Sequence, residues 1–292
     1  LGTPILQSLI NNPSENKDAD FKKYIACVQS ERSEQRLAGL FSQHLESGKL
    51  VISRRSNLDA VTSSDIVLLG VDPADVEETL KQEGLAQALK SKLLISLAAG
   101  WTRDSLENIL LPVGASSDQK EKIWVIRTLP NIAAQVSESL TAIEDPDKNI
   151  PDHYLKTTEA IFNQVGETVR IPPRLMNAAT AVGGSTPAFF SVICDALIDA
   201  SVAVGVPRAS AQAMIYQSMK GTATMLQSGV HPGVLKDQGT SPEGCTIGGL
   251  MVLEEAGVRG HLGKALREAV TIARLMGSGR EDQHVNDTRQ GQ

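Results

Sequence analysis

The chain has 292 residues, 41% hydrophobic and 21% charged, the balance of a soluble globular protein long enough for two domains. A net charge of -6 and a pI of about 5.5, with Lys and Arg scattered, exclude the basic footprint of a nucleic-acid binder. Cys27, Cys194 and Cys245 stand alone without CxxC spacing, which argues against a disulfide framework or zinc site. The expected setting is therefore reducing: the cytoplasm, with mitochondrial association as the other option.

In chain order, "LGTPILQSLI" reads as a helix already under way, with Leu6, Leu9 and Ile10 forming an apolar stripe behind Gly2. Seven short β-rich runs follow, at 24–28, 49–53, 65–71, 92–98, 123–127, 139–143 and 167–171. Helical patterns such as "SEQRLAGLFSQHL", "PADVEETLKQ" and "DHYLKTTEAIFNQVG" alternate with them. Continuous apolar runs without alternation suit strands buried on both faces, so the expectation is a doubly wound parallel sheet covered by helices. After "IPPR" (171–174) the strand signals stop and helices rich in Ala, Gly and Ser take over. "TPAFFSVICDALIDASVAVGV" is the most membrane-like stretch, but Asp195 and Asp199 in its middle predict an oligomer helix and no membrane insertion. The segment from Ser278 onward has no apolar face and reads as a disordered tail.

Ligands of doubly wound sheets bind outside the carboxyl ends of the strands. After "YIACV" stand Ser30 and Arg32 instead of the acid that would bind a ribose 2′-hydroxyl, which favours NADPH over NADH as cofactor. Ser30 equally fits an N-cap for a helix starting near Glu31. "GVDP" (70–73) and "AAGW" (98–101) bring small residues to successive strand ends, with Gly100 suited to a positive φ. Further on, Ser241-Pro242 has the grammar of a helix N-cap with proline at the first helical position. Gly244, Cys245 and Thr246 would then offer backbone N–H groups to a carboxylate or phosphate, with the Thr246 hydroxyl beside them. "ATAVGGSTPAFF" reads as a Gly/Ser turn entering a helix at Pro187. The five histidines show no metal-ligand spacing, and His231 before Pro232 reads as a turn residue.

"HPGVLKDQGTSPEGCTIGGLMVLEEAGVRG" (231–260), "RTLPNIAAQVSESLTAI", "TAVGGSTPAFF" and "GVPR" together resemble the signature segments of pyrroline-5-carboxylate reductases, and the likeness, to a fungal-like member, runs from Leu1 to about Gly277. The resemblance implies an α/β Rossmann-like N-terminal domain (1–171) followed by an all-α C-terminal dimerisation and substrate domain (172–278) and a tail (279–292). It implies NAD(P)H-dependent reduction of 1-pyrroline-5-carboxylate to L-proline by a homodimer built through the helical domain, with higher oligomers open to it. The active site is expected where the nicotinamide meets the helical domain. By the match, Ser241, Gly244, Cys245 and Thr246 hold the substrate carboxylate and orient the ring nitrogen, with Ser241 and Thr246 as the catalytic pair. Leu1, Gly2, Ser30, Arg32, Asn57, Val71, Pro73, Ala99, Gly100 and Asn131 fall on cofactor positions.

The chain departs from the family pattern at Asp72, where Lys is common, and at Glu243, which replaces the first glycine of Ser-Pro-Gly-Gly. Gly183, Thr186 and Ile132 differ as well. "LGT" matches the end of a Gly-x-Gly-x-x-Gly fingerprint, with Gly2 as its third glycine packing helix on sheet. The first strand and the first two glycines have no counterpart, so the expectation is a truncated dinucleotide site. Two rival readings are a related imine or keto-acid reductase and a non-catalytic dimeric relative acting as scaffold or regulator.

Overall fold

A computed structural model describes residues 1–11, 21–110 and 122–276. The first compact unit comprises Leu1–Gly184 and Val270 onward, the second Ser185–Ala269. By compactness the division falls after Gly184, because the helix Met176–Gly184 packs on the strands before it. The segment read as a tail, 279–292, lies outside the described residues.

The first unit runs α1 (Gly2–Asn11), β1 (Tyr24–Val28), α2 (Glu31–Leu40), α3 (Ser42–Glu46), β2 (Leu50–Arg54), α4 (Asn57–Thr62), β3 (Ile66–Leu69), α5 (Val76–Leu80), α6 (Leu85–Leu89), β4 (Leu93–Ser96) and α7 (Arg103–Leu110). It continues with β5 (Trp124–Leu129), β6 (Ser139–Glu144), α8 (Asp152–Asn163), β7 (Gly166–Ile171) and α9 (Met176–Gly184). All seven strands fall where the apolar runs place them. "SEQRLAGLFSQHL" is divided at Phe41 into α2 and α3, and "PADVEETLKQ" opens with a 3-10 turn at Pro73–Asp75 before α5.

The sheet differs from the expected single parallel array. β1 and β2 pair in parallel as one sheet, while β3-β4-β5-β6-β7 form a second. β3, β4 and β5 are parallel, β6 runs antiparallel to β5, and β7 is parallel to β6. The reversal follows from the link: a parallel return needs a dozen or more residues, and 130–138 holds only a 3-10 helix at Ile132–Val136. α8 is long enough, and it carries the chain from β6 to a parallel β7.

Burial explains the apolar runs. Leu93, Leu94 and Ile95 of β4 have no exposed surface, because helices cover both faces of this strand. Ile5 and Leu9 of α1 join Leu93, Ile95, Trp124 and Ile126 in one cluster, with Tyr24, Ile66 and Leu68 packed against it. α1 thus covers residues of both sheets with Ile5 and Leu9; of the stripe read from the sequence, Leu9 and Ile10 are buried and Leu6 is partly buried, and Ile5 completes the buried face.

The second unit holds α10 (Thr186–Ala203), α11 (Arg208–Gln227), α12 (Pro232–Gln238) and α13 (Cys245–Glu255), and most of α14 (Val258–Leu275). Gly183 and Gly184 are helical, so the expected Gly/Ser turn is instead the end of α9, and the break falls at Ser185 with Pro187 in the first turn of α10. By length and composition Pro173–Ala203 could cross a membrane. It is interrupted at Ser185, carries Asp195 and Asp199, and ties Asp199 to Arg208 at 2.6 Å. Phe190, Val192, Val204, Met214, Met251 and Val252 of this unit are exposed, and α13 buries none of its residues. An apolar surface of that extent calls for a partner.

Candidate active site

The expected site residues fall into two groups, one in each unit. In the first unit they lie at strand ends. Ser30 ends the link after β1 as the N-cap of α2, its Oγ accepting from the Ser33 N–H at 3.2 Å. Arg32, in the first turn of that helix, is exposed and makes no ion pair with the described residues, whereas Arg54 at the end of β2 is held by Glu34 at 3.0 Å. Asn57 opens α4, and its Nδ2 donates to Gln82 Oε1 at 3.3 Å. Val71 and Pro73 follow β3. Asp72, at the position where the family pattern has Lys, caps the 3-10 turn by accepting from the Ala74 N–H at 3.0 Å, so its charge is engaged locally.

Ala99 and Gly100 follow β4. Gly100 has φ +81°, the left-handed conformation expected of it, and a Cβ there would come within 3.1 Å of the Met276 backbone. The Trp101 indole donates to the Pro73 carbonyl at 2.8 Å, tying the turn after β4 to the turn after β3. Asn131, after β5, has its polar groups engaged: Oδ1 accepts from the Ala133 N–H, its own N–H donates to Ser139 Oγ, and Nδ2 donates to the Gly183 carbonyl at 2.9 Å. It braces the β5–β6 link against α9. Leu1 and Gly2 open α1, where the Leu1 carbonyl accepts from the Ile5 N–H at 3.3 Å. Among the described residues a Cβ on Gly2 would meet nothing within 4 Å, so none of them packs closely enough to require this glycine.

In the second unit the geometry of Ser241–Thr246 corrects the sequence reading. Ser241 is not the N-cap of α13; Gly244 is. The Gly244 N–H donates to the Ser241 carbonyl at 3.1 Å, with Pro242 and Glu243 at the two corners and Glu243 at φ +57°, the arrangement of a type II turn. Proline suits the second position of such a turn as well as the first position of a helix, so the dipeptide fits either. Gly244 therefore has no free N–H. Among the described residues the N–H groups of Cys245, Thr246 and Ile247 have no acceptor, since the backbone ladder of α13 begins with Gly248 donating to the Gly244 carbonyl at 3.3 Å.

Among the described residues no side chain caps this end, and Cys245, Thr246 and Ser241 are exposed. A Cβ on Gly244 would sit 2.5 Å from Ser241 Oγ, so the hydroxyl lies directly over the helix start. At the far end of α13, the Arg259 guanidinium donates to Glu254 Oε1 at 2.7 Å and holds that carboxyl below its usual range. His231 caps α12, with Nδ1 accepting from the Gly233 N–H at 3.1 Å, and Pro232 there does occupy the helix start. Among the described residues no three His, Cys, Asp or Glu side chains group as metal ligands.

Glu243 stands where a residue without Cβ is favoured, and the left-handed conformation costs an ordinary residue roughly 1 kcal/mol. E243G is expected to raise stability by roughly 0.5–1 kcal/mol, read as a higher urea midpoint at unchanged slope. A lower midpoint would show that the Glu243 side chain makes a stabilising contact.

Sequence reasoning missed three residues that brace the strand-end turns. Trp101 was visible in "AAGW", but its bond to Pro73 depends on β3 and β4 being neighbours. Arg103 and Arg127 both reach Glu144, a contact between distant segments that no local pattern announces.

Parallel strands with small residues at their carboxyl ends, followed in the chain by a helical unit, are a layout suited to a dinucleotide-dependent oxidoreductase. Residues 4–100 match the sequence profile described as NADP oxidoreductase, coenzyme F420-dependent, and residues 173–276 match that of pyrroline-5-carboxylate reductase dimerisation. The chain is 42% identical to a pyrroline-5-carboxylate reductase of Lophium arboricola over 91% of its own length and 82% of the relative's. It is 38% identical to that of Neurospora crassa over 97% and 90%. The crystal structure of a Plasmodium falciparum pyrroline carboxylate reductase with NADP bound is similar at TM-score 0.72 and 25% identity, covering 88% of this chain and 98% of that one. The chain belongs to the pyrroline-5-carboxylate reductase family.

Proposed function

We propose that this chain reduces 1-pyrroline-5-carboxylate to L-proline, the last step of proline biosynthesis, with NADPH as the preferred reductant and NADH as a weaker one. The observation that carries the reading is the start of α13: three open N–H groups, the Ser241 hydroxyl above them, and Thr246 beside them, in a chain of this family. The substrate is a cyclic imine carrying one carboxylate. The N–H groups of Cys245 and Thr246 suit that carboxylate, because the unpaired donors and the helix dipole both favour negative charge. Thr246 Oγ1 accepts from the ring N–H of the iminium form, and Ser241 Oγ donates to the carboxylate.

The strand-end residues fit a dinucleotide. Small side chains at the strand ends suit close approach of a dinucleotide to the backbone, and the exposed Arg32 guanidinium beside Ser30, which makes no ion pair among the described residues, suits a 2′-phosphate. When bound, NADPH supplies hydride to the imine carbon. An iminium that accepts hydride becomes a neutral amine with no further proton, so the protein has to orient the two partners and need not supply a strong acid. Assembly is proposed as a homodimer that covers the exposed apolar faces of α10, α11 and α13, with dimers free to associate further, in the cytoplasm.

Arg32→Ala tests the cofactor assignment. A charge-assisted contact of roughly 1.5–3 kcal/mol predicts a KM for NADPH higher by about 10- to 100-fold, with the KM for NADH within about twofold of wild type. Equal effects on both cofactors would remove Arg32 from the 2′-phosphate site.

A further inference from the structure

The turn Leu97–Thr102, which carries Ala99 and Gly100, is anchored at both ends. At its entry Ser96 pairs with Arg127 across β4 and β5, and Thr128 Oγ1 donates to the Ser96 carbonyl at 3.2 Å. At its exit Arg103, the first residue of α7, donates through Nη2 to Glu144 Oε1 at 2.5 Å and to the Asp145 carbonyl at 2.8 Å. Arg127 Nη1 donates to the other oxygen, Glu144 Oε2, at 2.5 Å. Only 2% of the Glu144 side chain is exposed, against 6% for Arg127 and 14% for Arg103.

Two guanidiniums thus share one carboxylate in the interior, and Nε of each arginine is buried without an acceptor among the described residues. A buried ionic cluster is often no more stabilising than well-packed apolar side chains, and an unbalanced one less so. What such a cluster does provide is direction. A two-toothed carboxylate fixes both guanidiniums and with them the backbone they leave.

We infer that Arg103 is a positioning residue: through Glu144 and the Asp145 carbonyl it holds the Ala99–Gly100 turn at the place where the dinucleotide lies, without itself touching the substrate. This rests on the reading of that turn as part of the cofactor site. Arg127 extends the same control to the second strand end, since it lies on the strand that leads to Asn131.

Arg103→Gln in the full chain tests the inference, because it leaves Glu144 and Arg127 as a charge-balanced pair and so spares the fold. Fluorescence titration is expected to give a Kd for NADPH about tenfold higher, with the KM for NADPH rising in parallel and kcat at saturation within about twofold of wild type. Arg103→Lys, which keeps a cation on Glu144, should recover affinity to within about threefold. Amide hydrogen exchange over 98–102, which needs no ligand, should quicken about fivefold or more in the glutamine variant. Wild-type Kd and wild-type exchange in Arg103→Gln would overturn the inference, and so would a lowered Tm with NADPH affinity unchanged. Weaker NADPH binding in the variant, in a chain that turns over no pyrroline-5-carboxylate, would support the inference and strike only the proposed reaction.

Discussion

Thr246→Ala is expected to lower kcat by about 10- to 100-fold while the KM for NADPH stays within about twofold of wild type, because a bond to a charged substrate nitrogen is worth roughly 1.5–3 kcal/mol. Thr246 is the second residue of α13, in the turn whose N–H groups are uncommitted, and its side chain is exposed. The substitution removes the hydroxyl and a methyl group but leaves the backbone donors in place. Carboxylate binding should therefore persist, and the loss should appear in the chemical step and not in the anchoring of substrate. Thr246→Ser, which keeps the oxygen, should retain most of the activity. Steady-state oxidation of NADPH with pyrroline-5-carboxylate checks both variants, and an alanine variant with wild-type kcat would remove Thr246 from the reaction.

The largest effect on stability is expected from Gly166→Ala. Gly166 starts β7 opposite Ser139 of β6, with φ +146°. A Cβ there would lie 1.9 Å from the Ser139 carbonyl oxygen and 2.4 Å from the Ser139 nitrogen. Both are backbone atoms of a paired strand, so relief requires separating β6 from β7. Ser139 also receives the Asn131 N–H on its hydroxyl and gives its own N–H to the Val165 carbonyl, so the strain spreads to the β5–β6 link. A loss of about 3 kcal/mol or more is expected, which for a unit of this size lowers Tm on the order of 10 °C. Gly2→Ala is the control: with nothing within 4 Å of its Cβ, it should stay within about 0.5 kcal/mol of wild type. A Gly166→Ala chain with unchanged Tm would mean that β7 pairs differently.

How much of this was legible in the sequence depends on how local each signal is. The strands of the first unit announced themselves, because strands buried on both faces, such as Leu93–Ser96, must be apolar throughout. The reversal at β6 depends on the short link 130–138, which is too short for a parallel return and leaves no mark in the apolar runs themselves. Ser241-Pro242 shows where local grammar ends. The same Xaa-Pro pattern is a helix cap at His231-Pro232 and a type II turn at 241–244. What separates them is whether the following residues turn left-handed, as Glu243 does. The glycines at 183 and 184 misled in the opposite sense, since glycine permits a turn without requiring one. Asn131 was visible as a strand-end residue, but its bond to the Gly183 carbonyl depends on how α9 is placed. The Arg103–Glu144–Arg127 cluster likewise exists only once β4, β5 and β6 are side by side.

The residues at the start of α13 are proposed to hold a cyclic imino acid for reduction by NADPH. The most direct measurement of this follows NADPH absorbance with the purified chain and pyrroline-5-carboxylate, with proline quantified in the same sample. One proline is expected per NADPH consumed, with Thr246→Ala slower by about 10- to 100-fold. A folded, dimeric chain that binds NADPH and yields no proline would contradict that proposal.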